Sequence, residues 1–233
     1  MKRTLVVLSE PYPVPQSSPD SSEAVPFCAA SFERVAEAAL RDTLAAAEAL
    51  SLGPGREPPH LVLAYSGDRS WYQRRASSHW LLLPRMGSTI EQHLDNLLIS
   101  LGVQPEQQTI FLSPRTPHLR MRQLQHAYLS LDQRQVVVGP CEGSGLYLLG
   151  VSGRWPCGLL NGTRWQTGHV EADLLKAFKR ASLTARVLDE LYELRHDSDL
   201  QRLAQDLGLL PDWALPNLRF LLNHLDEVEE EPA

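Results

Sequence analysis

The chain has 233 residues, 43% of them hydrophobic and 21% charged, with a formal net charge of −6. That length and apolar content suffice for one large domain or two small ones with a buried core, and they exclude a disordered polyanion. The acidic balance argues against non-specific nucleic-acid binding, which needs a basic face.

No apolar run reaches the roughly 18 residues of a membrane span, so no membrane partner is expected. The apolar piece at residues 4–8 is too short for a signal-peptide core and suits a first buried strand. Cys28, Cys141 and Cys157 match neither a disulfide framework nor a metal-ligand spacing. They read as reduced thiols of a cytoplasmic protein, in which the sequon Asn161-Gly162-Thr163 is a chance match.

In chain order, strand 4–8 leads into a Pro/Ser-rich stretch at 11–22. Phe32, Val35, Ala36, Ala39, Leu40 and Leu44 then recur at helical spacing, with Ser31 as N-cap and Gly53-Pro54-Gly55 as stop. Strands follow at 61–65 and 80–83, separated by a loop at 67–78. The next helix carries Leu94, Leu97, Leu98 and Leu101 and opens at Ser88 with Glu91 at capping-box spacing. Strand 109–112, helix 121–131, strand 136–138, strand 146–151, helix 171–181 and strand 185–188 complete the alternation. Two further helices, near 199–207 and 216–225, precede an acidic flexible tail at 227–233.

Strands alternating with helices predict a three-layer α/β/α sandwich around a mixed, mainly parallel sheet. The apolar pattern has no break that would divide the chain, so a single domain is expected over 1–226.

In open α/β sheets ligands bind beyond the carboxyl ends of the strands. The segment after the first strand has no glycine and no basic residue until Arg34, so it makes no phosphate cradle. After strand 109–112, the prolines of Ser113-Pro114-Arg115-Thr116-Pro117-His118-Leu119 stiffen a loop in which Arg115 is either a phosphate clamp or a solvated turn residue. After strand 136–138, Glu142-Gly143-Ser144-Gly145 either allows close backbone approach to a ligand or forms a plain hairpin turn. Trp165 packs or stacks, and Thr167 or Gly168 caps the helix that follows. The eight histidines show no zinc-helix pair, and there is no nucleophile elbow, P-loop or dinucleotide fingerprint.

The stretch Gly139-Pro140-Cys141-Glu142-Gly143-Ser144-Gly145-Leu146-Tyr147-Leu148-Leu149-Gly150 resembles the G-P-x-x-D-G-G-Y-Y-L-x-G signature of the DUF2064 family. In the right order stand Asp42-Thr43-Leu44, similar to that family's first helix, Leu82-Leu83-Pro84-Arg85-Met86-Gly87-Ser88, similar to its L-P-Q-x-G-x-x-L step, and Trp165-Gln166-Thr167, similar to its W-S-T step. The resemblance covers roughly residues 4–205. It implies the nucleotide-diphospho-sugar transferase (GT-A) fold, a glycosyltransferase-like or nucleotidyltransferase-like function, a nucleotide or nucleotide-sugar ligand, and Mg²⁺ as cofactor.

The chain departs from that pattern where charge matters. The family's basic G-x-x-K-T-R-L step has no counterpart in 15–25. Arg115 stands where the family's S-D-x-P-x-L step carries a carboxylate, and Arg195 takes an acidic position of the D-x-D-T-P-x-D-L step, here Glu193-Leu194-Arg195-His196-Asp197-Ser198-Asp199-Leu200. Guanidinium groups at two such positions repel Mg²⁺. Two expectations follow. Either Arg115 and Arg195 clamp a phosphate directly, with Glu142, Gly143, Ser144, Gly145, Trp165 and Thr167 around the ligand, or the chain keeps the fold as a non-catalytic binding or scaffolding protein. No catalytic residue is identified on either reading.

Overall fold

The structure is a computed structural model that describes residues 2–9, 29–143, 145–211 and 213–224, the side chains of 29–32 and 197 excepted. The loop expected at 11–22, the capping side chain of Ser31, the thiol of Cys28, the candidate Ser144 and the tail at 227–233 lie outside the described residues.

Seven strands form one sheet: β1 (Arg3–Leu8), β2 (His60–Tyr65), β3 (Trp80–Pro84), β4 (Gln108–Leu112), β5 (Val136–Pro140), β6 (Leu146–Ser152) and β7 (Ala185–Val187). Their order is β3-β2-β1-β4-β6-β5-β7, and only β6 runs against the rest. Helices α1 (Ala29–Glu48), α3 (Ile90–Ser100), α4 (Met121–Leu131) and α5 (Val170–Arg180) flank it. The mixed, mainly parallel α/β/α sandwich expected from the alternating pattern is what the chain forms.

The period-two geometry of a strand sends successive side chains to opposite faces. Leu5 and Val7 join Leu63 and Ile110 beneath Leu40 and Leu44 of α1 and Leu124 and Tyr128 of α4. Val6 joins Val62 and Phe111 on the other face, beneath Leu94 and Leu97 of α3 and Leu174 and Phe178 of α5. Both faces of the central strands are buried, which is why they read as continuous apolar runs.

A third cluster extends the fold outward. Helices α6 (Asp197–Gly208) and α7 (Pro216–Asn223) pack Leu200, Leu203, Leu207 and Leu218 against Val35, Ala38 and Ala39 of α1. Much of the apolar content of the C-terminal helices is thus spent on their own fold, while Leu209, Trp213 and Phe220 stay exposed at 86%, 80% and 67%. The carboxylate of Asp42, buried in α1, accepts from Asn217 N (3.1 Å), Asn217 Nδ2 (2.6 Å) and Leu218 N (2.9 Å), and so caps α7 across the interface.

Two local expectations are corrected. The stretch read as a loop at 67–78 contains a short helix, α2 (Arg69–Gln73), because Asp68 accepts from Ser70 N at 2.9 Å and Tyr72 is buried beneath it. Five residues are too few for a periodic signal. The cap of α3 is Thr89 rather than Ser88: its hydroxyl accepts from Gln92 N, and Gln92 Oε1 accepts from Ser88 N at 2.9 Å. Among the described residues, no helix is long and apolar enough to cross a membrane.

Candidate functional site

From β1 the chain builds outward through β2 and β3, then returns to place β4 on the other side of β1. At such a reversal the connections on the carboxyl edge diverge and leave a crevice. Because β6 is antiparallel, its first residues reach that same edge: Leu148 pairs with Leu112, the last residue of β4. A cavity of about 120 Å³ opens there, floored by Leu8, Phe111, Leu148 and Leu149 and walled by Arg85, Ser113, Pro114, Arg115, Gly145, Trp165, Gln166, Glu193 and Arg195.

Of the candidates named from the sequence, Arg115, Gly145, Trp165 and Arg195 meet in this cavity. Arg115 is carried by the proline-stiffened loop after β4. Ser113 N donates to the Tyr147 carbonyl (2.9 Å), and Leu194 N donates to the carbonyl of Arg115 itself (2.8 Å). Those bonds tie the loop to β6 on one side and to residues 193–195 on the other. Gly145 has φ +95°, and a Cβ there would lie 3.1 Å from Arg195 Nη2, so glycine serves both the turn and the close approach of the guanidinium. Trp165 packs against the α3 and α5 side of the core, and its buried indole N–H finds no acceptor among the described residues. Its neighbour Gln166 holds φ +59°, a left-handed conformation that is uncommon for a residue with a Cβ.

Other candidates lie apart. Glu142 lines a separate groove and is bound by both terminal nitrogens of Arg202 (2.6 and 2.9 Å), which hold its carboxyl below the usual range. Thr167 uses its hydroxyl within its own turn, donating to the Arg164 carbonyl (2.6 Å) and accepting from His169 N (3.2 Å). Gly143 is an exposed turn residue at φ +76°.

Glu193, Arg85 and Gln166 complete the wall but were not among the candidates. Glu193 stands at the first acidic position of the step that ends in Asp199, which was its signal. Arg85 follows the last residue of β3, and its signal was the carboxyl-end rule applied to the third strand. Gln166 gave none.

The charges in the cavity are coupled. The Glu193 side chain is 8% exposed; its Oε2 accepts from Nε (2.8 Å) and Nη2 of Arg195, and its Oε1 lies 3.7 Å from Nη1 of Arg115. Three guanidinium groups and one carboxylate stand among the described lining residues. Among the described residues, the donor set does not fit a resident Mg²⁺. A hard dication in this kind of site needs carboxylate oxygens open to it, and both oxygens of Glu193 face guanidinium nitrogens. Asp199, the next described acid of that step, accepts from the N–H groups of Arg195 and His196 (both 2.8 Å) and starts α6. Burial pushes the Cys141 thiol far up, with the nearby Glu193 charge adding to the effect, which disfavours the reactive thiolate. The described lining of the cavity is thus rich in arginine.

A profile described as an uncharacterized protein conserved in bacteria (DUF2064) matches residues 50–167, just over half of the chain. No curated protein sequence matches it. Among solved structures, a provisionally named nucleotide-diphospho-sugar transferase from Desulfovibrio desulfuricans G20 superimposes with a TM-score of 0.76, 14% identity, and coverage of 97% of this chain and 98% of that one. A 4-diphosphocytidyl-2C-methyl-D-erythritol synthase from Anaerococcus prevotii DSM 20548 superimposes with a TM-score of 0.54 and 8% identity, over 89% of this chain and 96% of that one. At these identities the likeness is one of fold.

Proposed function

The chain belongs to the DUF2064 family, and from that membership and the arginine-lined cavity we propose that it binds a nucleotide or nucleotide-sugar through its phosphates, without a divalent metal. The observation that carries this reading is the convergence of Arg115 and Arg195 on one crevice at the switch point of the sheet. Guanidinium groups bind phosphate oxygens in fork geometry and take over the charge compensation a metal otherwise supplies. The transferase names borne by proteins of the same fold support the ligand class. The cavity is smaller than the roughly 300–1,000 Å³ that encloses a whole small molecule. It suits the phosphate portion, with base or sugar lying outside it.

A second reading has its own support. Glu193 already occupies both arginines, and the basic first loop of the family is missing, so the chain could retain the fold as a binding or scaffolding unit within the proposed single domain. Calorimetric titration with nucleoside triphosphates and sugar nucleotides, in Mg²⁺ and in chelator, separates the two. The phosphate-clamp reading expects binding that survives chelation and falls more than about tenfold, or 1.4 kcal/mol, in Arg115→Ala and in Arg195→Ala. Binding only with Mg²⁺ would overturn it, and unchanged affinity in both variants would leave the scaffold.

A further inference from the structure

The turn after β3 is organised around Arg85. Its backbone N–H donates to the Tyr65 carbonyl (2.8 Å), which continues the β2–β3 ladder by one residue. Its Nη2 lies 2.6 Å from Nδ1 of His93 in α3, and Nε2 of His93 lies 3.0 Å from the Gly87 carbonyl oxygen. A guanidinium only donates and a carbonyl only accepts. In these two bonds Nδ1 of His93 accepts from Arg85 and Nε2 donates to Gly87.

The rest of the turn is fastened to the same helix. Asn96 Nδ2 donates to the Met86 carbonyl (2.8 Å), and Gln92 Oε1 accepts from Ser88 N (2.9 Å). Gly87 sits at φ +115°, and a Cβ there would fall 2.7 Å from Cβ of Gln92. One bond from α3, that of His93, goes to the Arg85 head group, and Arg85 lines the same cavity as Arg115 and Arg195. It enters from the β3 end of the sheet, whereas Arg115 enters from β4.

We infer that Arg85 is a third arm of the proposed phosphate site and that His93 is its positioning residue, acting on a bound phosphate through Arg85. The inference rests on the reading of the cavity as a phosphate site. Ordering an arginine side chain costs rotamer freedom, and the His93 bond meets part of that cost before the ligand arrives, as preorganisation does elsewhere.

The test is titration of the full chain with inorganic pyrophosphate in chelator, with thermal midpoints measured alongside. Arg85→Ala and His93→Leu should each weaken binding about fivefold or more. Adding His93→Leu to Arg85→Ala should cost nothing further, because the histidine acts through the arginine. His93→Gln, which keeps an acceptor for Arg85 and a donor for Gly87, should bind within about twofold of the parent. An unchanged His93→Leu, or an equal loss from it in the Arg85→Ala background, would overturn the positioning role while leaving the Arg115 and Arg195 clamp standing. A parent chain that binds neither pyrophosphate nor any nucleotide would instead remove the phosphate reading itself, and this inference with it.

Discussion

At the scale of single residues, Glu193 governs how the proposed phosphate site behaves. Its carboxylate bonds to Arg195 and faces Arg115, so on the proposed reading an incoming phosphate competes with it for both guanidinium groups. Glu193→Gln removes the charge and keeps the shape and one acceptor. The expected result is tighter binding of a diphosphate ligand, by roughly threefold to tenfold in Kd, since one opposing unit charge near the ligand is removed. The gain should shrink as ionic strength rises. Isothermal titration at low and high salt reads both. Weaker binding by Glu193→Gln would instead make the carboxylate a holder of Arg195 rather than a competitor for it.

At the scale of elements, the sequence reading succeeded where a strand or helix carries its own signal. The buried runs of β1, β2, β4 and β5 and the leucine faces of α3 and α4 are local patterns. Capping across the interface is not local. Asp42 lies 175 residues from Asn217, whose backbone and side chain it accepts from, and nothing near either residue announces the pair. The Asp42-Thr43-Leu44 step that pointed to a family thereby acquires a structural reason: Asp42 starts α7, and Thr43 donates its hydroxyl to the Ala39 carbonyl (2.7 Å). Removing the acceptor leaves the Leu218 N–H, in the buried interface, without its partner and the first turn of α7 uncapped. Asp42→Ala should therefore cost about 2–3 kcal/mol. Asp42→Asn keeps one carbonyl oxygen and should cost less. Urea unfolding of both variants decides it, and a loss under about 0.5 kcal/mol in Asp42→Ala would show that α7 holds by apolar packing alone.

At the scale of the whole molecule, sheet order brought together what sequence distance hid. Arg115 and Arg195 could be suspected singly, but their meeting depends on β4 lying beside both β1 and β6, and Glu193, two residues from Arg195, reaches Arg115 only through that arrangement. A separate groove, lined by His118, Tyr192, Arg202 and Asp206, couples stability to pH. His118, in the loop that carries Arg115, stacks on the Tyr192 ring at 3.8 Å between centroids. Arg202 lies 4.1 Å from that ring, and the Tyr192 hydroxyl donates to Asp206 (2.7 Å). Both ring nitrogens of His118 are buried without a partner among the described residues. Burial pushes the imidazole down from 6.5 to about 4; the Arg202 and Arg120 charges add to this, and the carboxylates of Asp206 and Glu142 oppose it. A folded-state value below the unfolded one means that the unfolded chain takes up the proton first. Stability is therefore whole above about pH 6.5 and declines as pH falls toward 4. From those two values the loss reaches about 2 kcal/mol at pH 5, or roughly 4–8 °C in Tm for a chain of this size. The carboxyls of Glu37 and Glu142, both held low by arginine partners, add their losses only at lower pH. Thermal melts between pH 7 and pH 5 should show this decline in the parent, and His118→Phe, which keeps a ring on Tyr192 but cannot titrate, should flatten it. Equal slopes in the two proteins would place the acid sensitivity elsewhere.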